Sequence, residues 1–195
     1  MSNEILSKDV GKVFHPKSKR LEQLAKMWAR YGNQPKDLDP MGAGEESVWS
    51  YPRPPALVVV HKNFVVSLHG VHLLTAKSAV KVMETASPPT YYFDLDALLC
   101  DYEISSKSSH CEWKGNAKYM SFILPRETLH DVGWYYENPY EEYQKIKGLV
   151  SLYPSKFDIS INDEKVKAQA GDFYGGWVTS EIKGPFKGNS GTGAW

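Results

Sequence analysis

The hydrophobic residues of this chain follow a helical repeat near the N-terminus and alternate in strand-like fashion over most of the remainder. Five apolar side chains share one face of a helix predicted over residues 16–31: Leu21, Leu24, Ala25, Trp28 and Tyr31. Gly32 stands where such a helix would end. The polar residues 33–47 are rich in Gly, Pro and Asp, a composition typical of a linker. We therefore predict an N-terminal helical arm and linker over residues 1–47 and the main domain over residues 48–195.

The main domain consists of short β-branched and aromatic runs, which turn residues separate. Strands are predicted at residues 56–60, 64–68, 79–85, 117–124, 134–136, 149–153 and 157–161. The pair Lys62-Asn63 indicates a hairpin between the first two strands, and residues 87–90 (Ser-Pro-Pro-Thr) indicate a break. Asp94 is placed to cap a short helical turn, and residues 140–147 predict one or two more turns. The fold class predicted is mainly β.

Composition narrows the classes of partner. The 195 residues carry 23 basic and 23 acidic side chains, so no summed cationic charge favours nucleic acid or an anionic membrane. No apolar run reaches the ~20 residues of a membrane-spanning helix, and Met1–Glu4 lacks the features of a secretory signal. These observations predict a cytoplasmic protein; they identify neither a cofactor nor an oligomeric state.

Metal binding is not expected. The two cysteines, Cys100 and Cys111, are too few for a four-thiolate zinc site and fit two reduced thiols better than a disulfide framework. His110 adjoins Cys111, but neighbouring residues of a strand point to opposite faces and do not form a natural chelate.

Five aromatic-rich motifs recur together in one known family. They are Trp49–Pro55, Glu84-Thr85 with Pro88–Phe93, Cys111–Gly115 with Tyr119, Trp134–Tyr136 with Pro139, and Phe173–Trp177. Over residues 49–183 the chain resembles the domain-of-unknown-function 427 family, which also carries a nucleotidyltransferase 9 label. The tail, residues 184–195, resembles a cyanobacterial-type version of it.

This resemblance implies a β-tent-like fold, in which two antiparallel sheets are pinched together at one end, as in methionine sulfoxide reductase B and the ligand-binding domain of cereblon. It implies no mechanism, because fold analogy does not transfer activity. The family pattern usually has His where this chain has Ser87 and Pro where it has Asp94. Any acid–base role of that His in relatives is absent here.

Four residues are candidates for polar chemistry. Cys111 is a candidate nucleophile because a cation such as Lys114 favours the thiolate, although cysteines more often pack as small buried hydrophobes. Arg53, Glu84 and Lys114 stand among bulky aromatics, where an isolated charge is costly. Either Arg53 and Glu84 pair to lock the sheets, or Arg53 and Lys114 hold an anionic group while Glu84 accepts a proton.

The aromatic residues supply core bulk and candidate pocket walls. The predicted ligand-binding set is Arg53, Glu84, Tyr92, Trp113, Lys114, Tyr119, Trp134 and Trp177. The first hypothesis is a domain that binds a small molecule, anionic or neutral, in an aromatic-lined pocket. The alternatives are an enzyme that uses the same pocket, with Cys111 or Glu84 as the catalytic residue and nucleotidyl transfer by label only, or a protein-interaction module that docks through its N-terminal helix.

Overall fold

The computed structural model describes residues 9–29, 34–171, 173–193 and 195. Helix α1 spans Lys19–Trp28 and begins at Ser18, whose hydroxyl accepts a hydrogen bond from the Leu21 amide at 3.2 Å. Leu21 is fully buried. The helix is shorter than the predicted span 16–31, and the predicted positions of Tyr31 and Gly32 lie outside the described residues.

Fourteen strands follow the chain through the described residues. They are β1 Val13–Phe14, β2 Glu46–Ser47, β3 Ala56–Leu68, β4 Val71–Glu84, β5 Ser87–Tyr92, β6 Asp101–Cys111, β7 Gly115–Ile123, β8 Thr128–Tyr135, β9 Val150–Leu152, β10 Asp158–Ile161, β11 Glu164–Lys165, β12 Lys167–Ala168, β13 Trp177–Val178 and β14 Ile182–Lys183. Short 3₁₀ helices span Val48–Ser50, Leu95–Ala97, Glu141–Ile146 and Pro154–Lys156. The first of these was not predicted, whereas the second is capped by Asp94 as expected.

The strands form two main antiparallel sheets. One has the order β11-β10-β3-β4-β5, with β1 added beside β3, and the other has the order β6-β7-β8-β9. They meet where Phe93 and Val150 exchange two backbone hydrogen bonds of 2.8 Å. The prediction of a mainly β chain with antiparallel sheets, an N-terminal helix and short helical turns is confirmed.

Two local predictions were wrong. No hairpin lies at Lys62-Asn63, because β3 runs without a break to Leu68 and only shifts register between His61 and Phe64. This half of β3 pairs with β4 on one side and β10 on the other, so tertiary pairing outweighs the local turn signal. Pro88 and Pro89 likewise do not break the chain. They lie in β5 at the edge of its sheet, where a missing amide donor is tolerated.

Alternation along β5 separates two cores. Tyr91 packs with Phe64, Phe93 and Trp177 in the core between the sheets. The next residue, Tyr92, points to the opposite face and belongs to a second core that also contains Leu21, Trp113 and Trp134. The second core is therefore the one that opens towards α1.

Both ends of the described chain pack on the sheets. β1 pairs with β3, and β2 pairs in parallel with β14. The ring of Trp195 lies edge-on to Trp49 with centroids 5.4 Å apart, so the tail is held at its end. The predicted boundary at residue 47 stays a prediction. Within the described ranges, none of the helices is long and apolar enough to cross a membrane.

Candidate functional site

A cavity of about 380 Å³ opens on the second core. Strands β4 to β8 supply its floor, which includes Glu84, Tyr92, Cys111, Trp113, Lys114, Tyr119, Trp134 and Tyr136. Its cover comes from α1 and from the segment after β12, and includes Trp28, Gln169, Phe173, Tyr174, Gly175, Gly176 and Lys187. The structure therefore brings together six of the eight predicted ligand-binding residues and the candidate nucleophile.

The β6–β7 hairpin carries the thiol, the indole and the ammonium group of the floor. Cys111 ends β6 and pairs with Gly115 at the start of β7, which leaves Glu112, Trp113 and Lys114 in the turn. Gly115 has a φ of +101°, a conformation that favours glycine. A turn of three residues thus places an indole and an ammonium group side by side with a thiol.

Helix α1 fixes this turn. The Arg20 guanidinium donates to the carbonyl oxygens of Glu112 and Trp113 at 2.7 and 3.0 Å, and it forms an ion pair of 3.2 Å with Glu142. From the other side, the Tyr140 amide donates to the Lys114 carbonyl at 3.0 Å. The backbone of the turn is therefore held from both flanks, which leaves its side chains fixed in direction.

Lys114 is buried without a protein partner. Its side chain lines the cavity while the residue is only 8% exposed. Among the residues that the structure describes, the ammonium group makes no hydrogen bond and no ion pair, and it is open to the cavity. A mostly buried ammonium group loses much of its hydration energy.

The surroundings of Lys114 keep it charged. Burial alone would lower the pKa of Lys114, but the negative charge that Cys111, Tyr136 and Tyr92 gain on ionisation, together with the charge of Glu84, outweighs burial and raises the pKa well above its ordinary value. Burial raises the pKa of both Tyr92 and Tyr136, so both phenols keep their protons at neutral pH. The centre of the floor is thus an ammonium group beside neutral hydroxyls and a thiol.

Arg53 and Glu84 form an ion pair, which is one of the two arrangements that the sequence allows. The Arg53 Nε and the Glu84 Oε1 are 3.8 Å apart, and another guanidinium nitrogen of Arg53 donates to the Thr85 carbonyl at 3.0 Å. Glu84 Oε1 also accepts from the Trp113 indole at 3.2 Å. Glu84 lines the cavity, whereas Arg53 lies behind the cover with its guanidinium 4.9 Å from the Trp28 ring centre.

The aromatic walls are held by their polar atoms. The Trp134 indole donates to the Tyr92 hydroxyl at 3.0 Å, and the Tyr119 hydroxyl donates to Ser109 Oγ at 3.0 Å. Gly175 lies so close to Trp134 that an added Cβ would be 2.2 Å from a ring carbon. Glycine at this position therefore allows the cover to lie directly against the indole.

Trp177 lies elsewhere. It is fully buried in the core between the sheets, where its indole donates to the Leu152 carbonyl at 3.1 Å and its ring packs on Phe93. The cavity is lined by the glycines that precede Trp177 in its motif.

Several lining residues were not predicted. Tyr136 lies in a predicted strand, and alternation along that strand places it on the same face as Trp134. Trp28 lies on the apolar face of the predicted helix, which indicates packing. Tyr153 directly follows β9, and Lys187 reaches the cavity through the course of the tail, which has no local signal.

The remaining candidates are placed as follows. Both cysteines are free thiols, and burial together with Asp101 raises the pKa of Cys100 to about 11. In the described ranges, no three His, Cys, Asp or Glu side chains cluster as metal ligands would. Ser87, where the family usually has His, lines the cavity, whereas Asp94 caps the 3₁₀ turn by accepting from the Asp96 amide at 3.2 Å.

A protein-family profile matches the part of the chain that contains the floor of this cavity. The sequence profile described as "Domain of unknown function (DUF427)" matches residues 56–163, more than half of the chain. The chain belongs to the DUF427 family. This confirms the family predicted from the five motifs. Comparison with curated proteins gives no match. The DUF427 match contains every floor residue named above, whereas the cover residues Trp28, Gln169, Phe173–Gly176 and Lys187 lie outside it.

Proposed function

We propose that this DUF427 protein binds a small anion with a flat, apolar body, and that Lys114 anchors the negative charge. The observation that carries the proposal is a lysine, nine-tenths buried, that lines a cavity and makes no hydrogen bond or ion pair with the described residues. An ammonium group that has lost most of its hydration gains from a nearby counter-charge or hydrogen-bond acceptor. A ligand anion supplies both.

Two of the three other charged side chains at the cavity have protein partners. Glu84 is shared by Arg53 and the Trp113 indole, and Lys187 donates to the Trp195 carbonyl oxygen at 3.0 Å. The third, Glu112, also lines the cavity. Burial and the nearby Arg53 lower the pKa of Lys187, whereas Glu84 and Glu112 raise it. Lys114 and Lys187 together support binding of an anionic ligand.

Size and walls favour a small aromatic or unsaturated ligand. A volume of about 380 Å³ falls in the lower part of the roughly 300–1,000 Å³ typical of small-molecule pockets. The rings of Trp113, Tyr119 and Trp134 supply flat apolar surface with fixed polar edges.

The contacts of α1 support a structural role for the helix rather than docking of a partner. Leu21 is buried in the second core and Arg20 holds the hairpin turn. These contacts engage the helix with its own chain, which weakens the interaction-module alternative. Nucleotidyl transfer has only the family label in its favour.

Calorimetric titration of the full chain with matched carboxylate and carboxamide pairs tests the proposal. Benzoate, indole-3-acetate and naphthalene-2-carboxylate differ from their primary amides mainly in charge. We expect at least one carboxylate to bind about ten- to a hundredfold more tightly than its amide, the range of a charged hydrogen bond. Lys114→Met should remove this preference. Lys118→Met, which alters an exposed lysine on the same hairpin, should keep it. Equal binding of carboxylate and amide in every pair would contradict the proposal.

A further inference from the structure

We propose that the cavity captures its ligand covalently: Cys111 adds its sulfur to an electrophilic carbon of an unsaturated carboxylate that Lys114 holds. This inference rests on the proposed function, because the anion site determines which electrophile reaches the thiol. It assigns to the cavity a ligand class, small carboxylates with a conjugated double bond, and to Cys111 a catalytic contact with the reacting carbon.

The hairpin places the two groups together. Cys111 and Lys114 stand at opposite ends of one turn, line the same cavity and are close enough for their charges to interact. Cys111 is partly rather than fully buried, so a ligand in the cavity has access to its sulfur. An electrophile anchored at Lys114 is thereby held beside the thiol, and proximity of this kind raises the rate of reaction greatly.

The unpartnered lysine distinguishes Cys111 from an ordinary packed cysteine. A structural thiol needs no charged neighbour, and burying an ammonium group next to it only adds cost. At Cys111 this neighbour is present, and among the described residues the Lys114 ammonium group makes no hydrogen bond and no ion pair.

The groups that surround the sulfur supply the protons that conjugate addition requires. The sulfur forms a bond to the β-carbon of the alkene, the π electrons move to the α-carbon, and that carbon takes a proton. The Lys114 ammonium or the Tyr136 hydroxyl donates this proton, and the thiol proton replaces it. The product is a thioether. No group leaves, and no oxidant or reductant is needed.

Cys100 provides an internal control of opposite character. It packs against the core between the sheets, and Asp101 adjoins it. Burial and this carboxylate raise the pKa of Cys100, so its thiolate is scarce at neutral pH, and an anionic reagent is repelled there. We therefore expect Cys111 to react faster with an anionic electrophile than with a neutral one, and Cys100 to show the opposite preference.

The test uses 3-maleimidopropionate and 3-maleimidopropionamide, which share a ring and differ in charge remote from it. The full chain is treated at neutral pH, and the alkylation rate of each cysteine is followed by peptide mass spectrometry. We expect Cys111 to react about tenfold faster with the carboxylate than with the amide, the effect of one charged hydrogen bond. Cys100 should react slowly and prefer the amide. Lys114→Met should abolish the preference at Cys111, and Lys118→Met should retain it.

A rate ratio at Cys111 equal to or below that of Cys100 would overturn the inference. This result is distinguishable from failure of the proposed function, because the calorimetric preference for carboxylates would persist if only the covalent step were wrong. Thermal unfolding shows whether Lys114→Met is folded. If it is not, the wild-type chain decides the question: the carboxylate that binds most tightly in calorimetry should slow alkylation of Cys111 and leave that of Cys100 unchanged. Unchanged alkylation of Cys111 would count against capture in the cavity.

Discussion

Two buried lysines in this protein have opposite surroundings. Lys81, in β4, is 4% exposed, and its ammonium group lies 2.8 and 2.7 Å from the two carboxylate oxygens of Glu46. Glu46 also accepts from the Tyr51 hydroxyl at 2.7 Å. Lys114 is 8% exposed and has no such carboxylate among the described residues. Lys81 is paired with a carboxylate of the chain, whereas Lys114 faces a cavity. We therefore expect Lys81 to stabilise the fold and Lys114 to contact a ligand.

The largest effect is expected where the compensated pair is broken. Glu46→Gln leaves Lys81 buried without its counter-charge, and we expect the free energy of unfolding to fall by about 2–3 kcal/mol. This is below the ~3–5 kcal/mol of a fully buried pair because the Glu46 side chain is 41% exposed. Urea denaturation measures the loss, with Glu137→Gln at an exposed pair as control. A loss no larger than that of the control would remove the distinction between the two lysines.

The pH dependence of stability is the next, smaller effect. Burial would raise the pKa of Glu46, but the hydrogen bond and charge of Lys81 outweigh burial and lower it. A carboxyl whose pKa is lower in the folded chain stabilises above its unfolded pKa and loses this contribution as the pH falls through the folded value. The stability difference between wild type and Glu46→Gln should therefore shrink below about pH 4.

The difference in unfolding free energy between wild type and Lys114→Met should not change with pH over the same acid range. The pKa of Lys114 is raised, so the amine remains protonated in both folded and unfolded chains there. Urea denaturation between pH 7 and about pH 3 follows both differences. A Glu46→Gln difference that does not change with pH would mean that the carboxylate contributes nothing specific to the fold.

The third effect concerns the uncompensated lysine. Lys114→Met removes a buried ammonium group that makes no hydrogen bond or ion pair with the described residues, so we expect the unfolding free energy in the absence of ligand to fall by at most about 1 kcal/mol, well below the loss for Glu46→Gln. Urea denaturation of the two proteins in parallel measures it. Destabilisation as large as that of Glu46→Gln would show that Lys114 is structural.

The smallest effect is expected at an exposed lysine of the same hairpin. Lys118 Nζ lies 2.7 Å from Glu137 Oε2, but both side chains are exposed to solvent. Lys118→Met should leave the unfolding free energy nearly unchanged, because ion pairs on the surface contribute little to stability. A larger change would make Lys118 unsuitable as the matched control for Lys114.

The sequence predicts the fold class well because alternation and turn residues act locally. It identifies β7 and the cap at Asp94. It fails at Lys62-Asn63, because pairing on both sides of β3 is a property of the assembled sheet. The reversal comes instead at His69-Gly70, where both residues adopt positive φ.

The site was predictable in its floor and not in its cover. The sequence identifies Tyr92, Trp113 and Lys114 as site candidates, but it does not predict β5 or β6, the strands that bring them together. Trp177 could not be assigned a face, because β13 is only two residues long. Lys187 reaches the cavity through tertiary contacts made by the tail, which no local pattern encodes.

The division of the cavity between a floor inside the DUF427 match and a cover outside it has an evolutionary consequence. Relatives can inherit the hairpin and its lysine as a common anchor while their flanking segments diverge independently. Recognition of charge would then be ancestral, and discrimination by shape would be a lineage-specific trait. Exchanging residues 169–176 between relatives would transfer that trait and leave both hydrophobic cores intact, because Trp177 is not replaced.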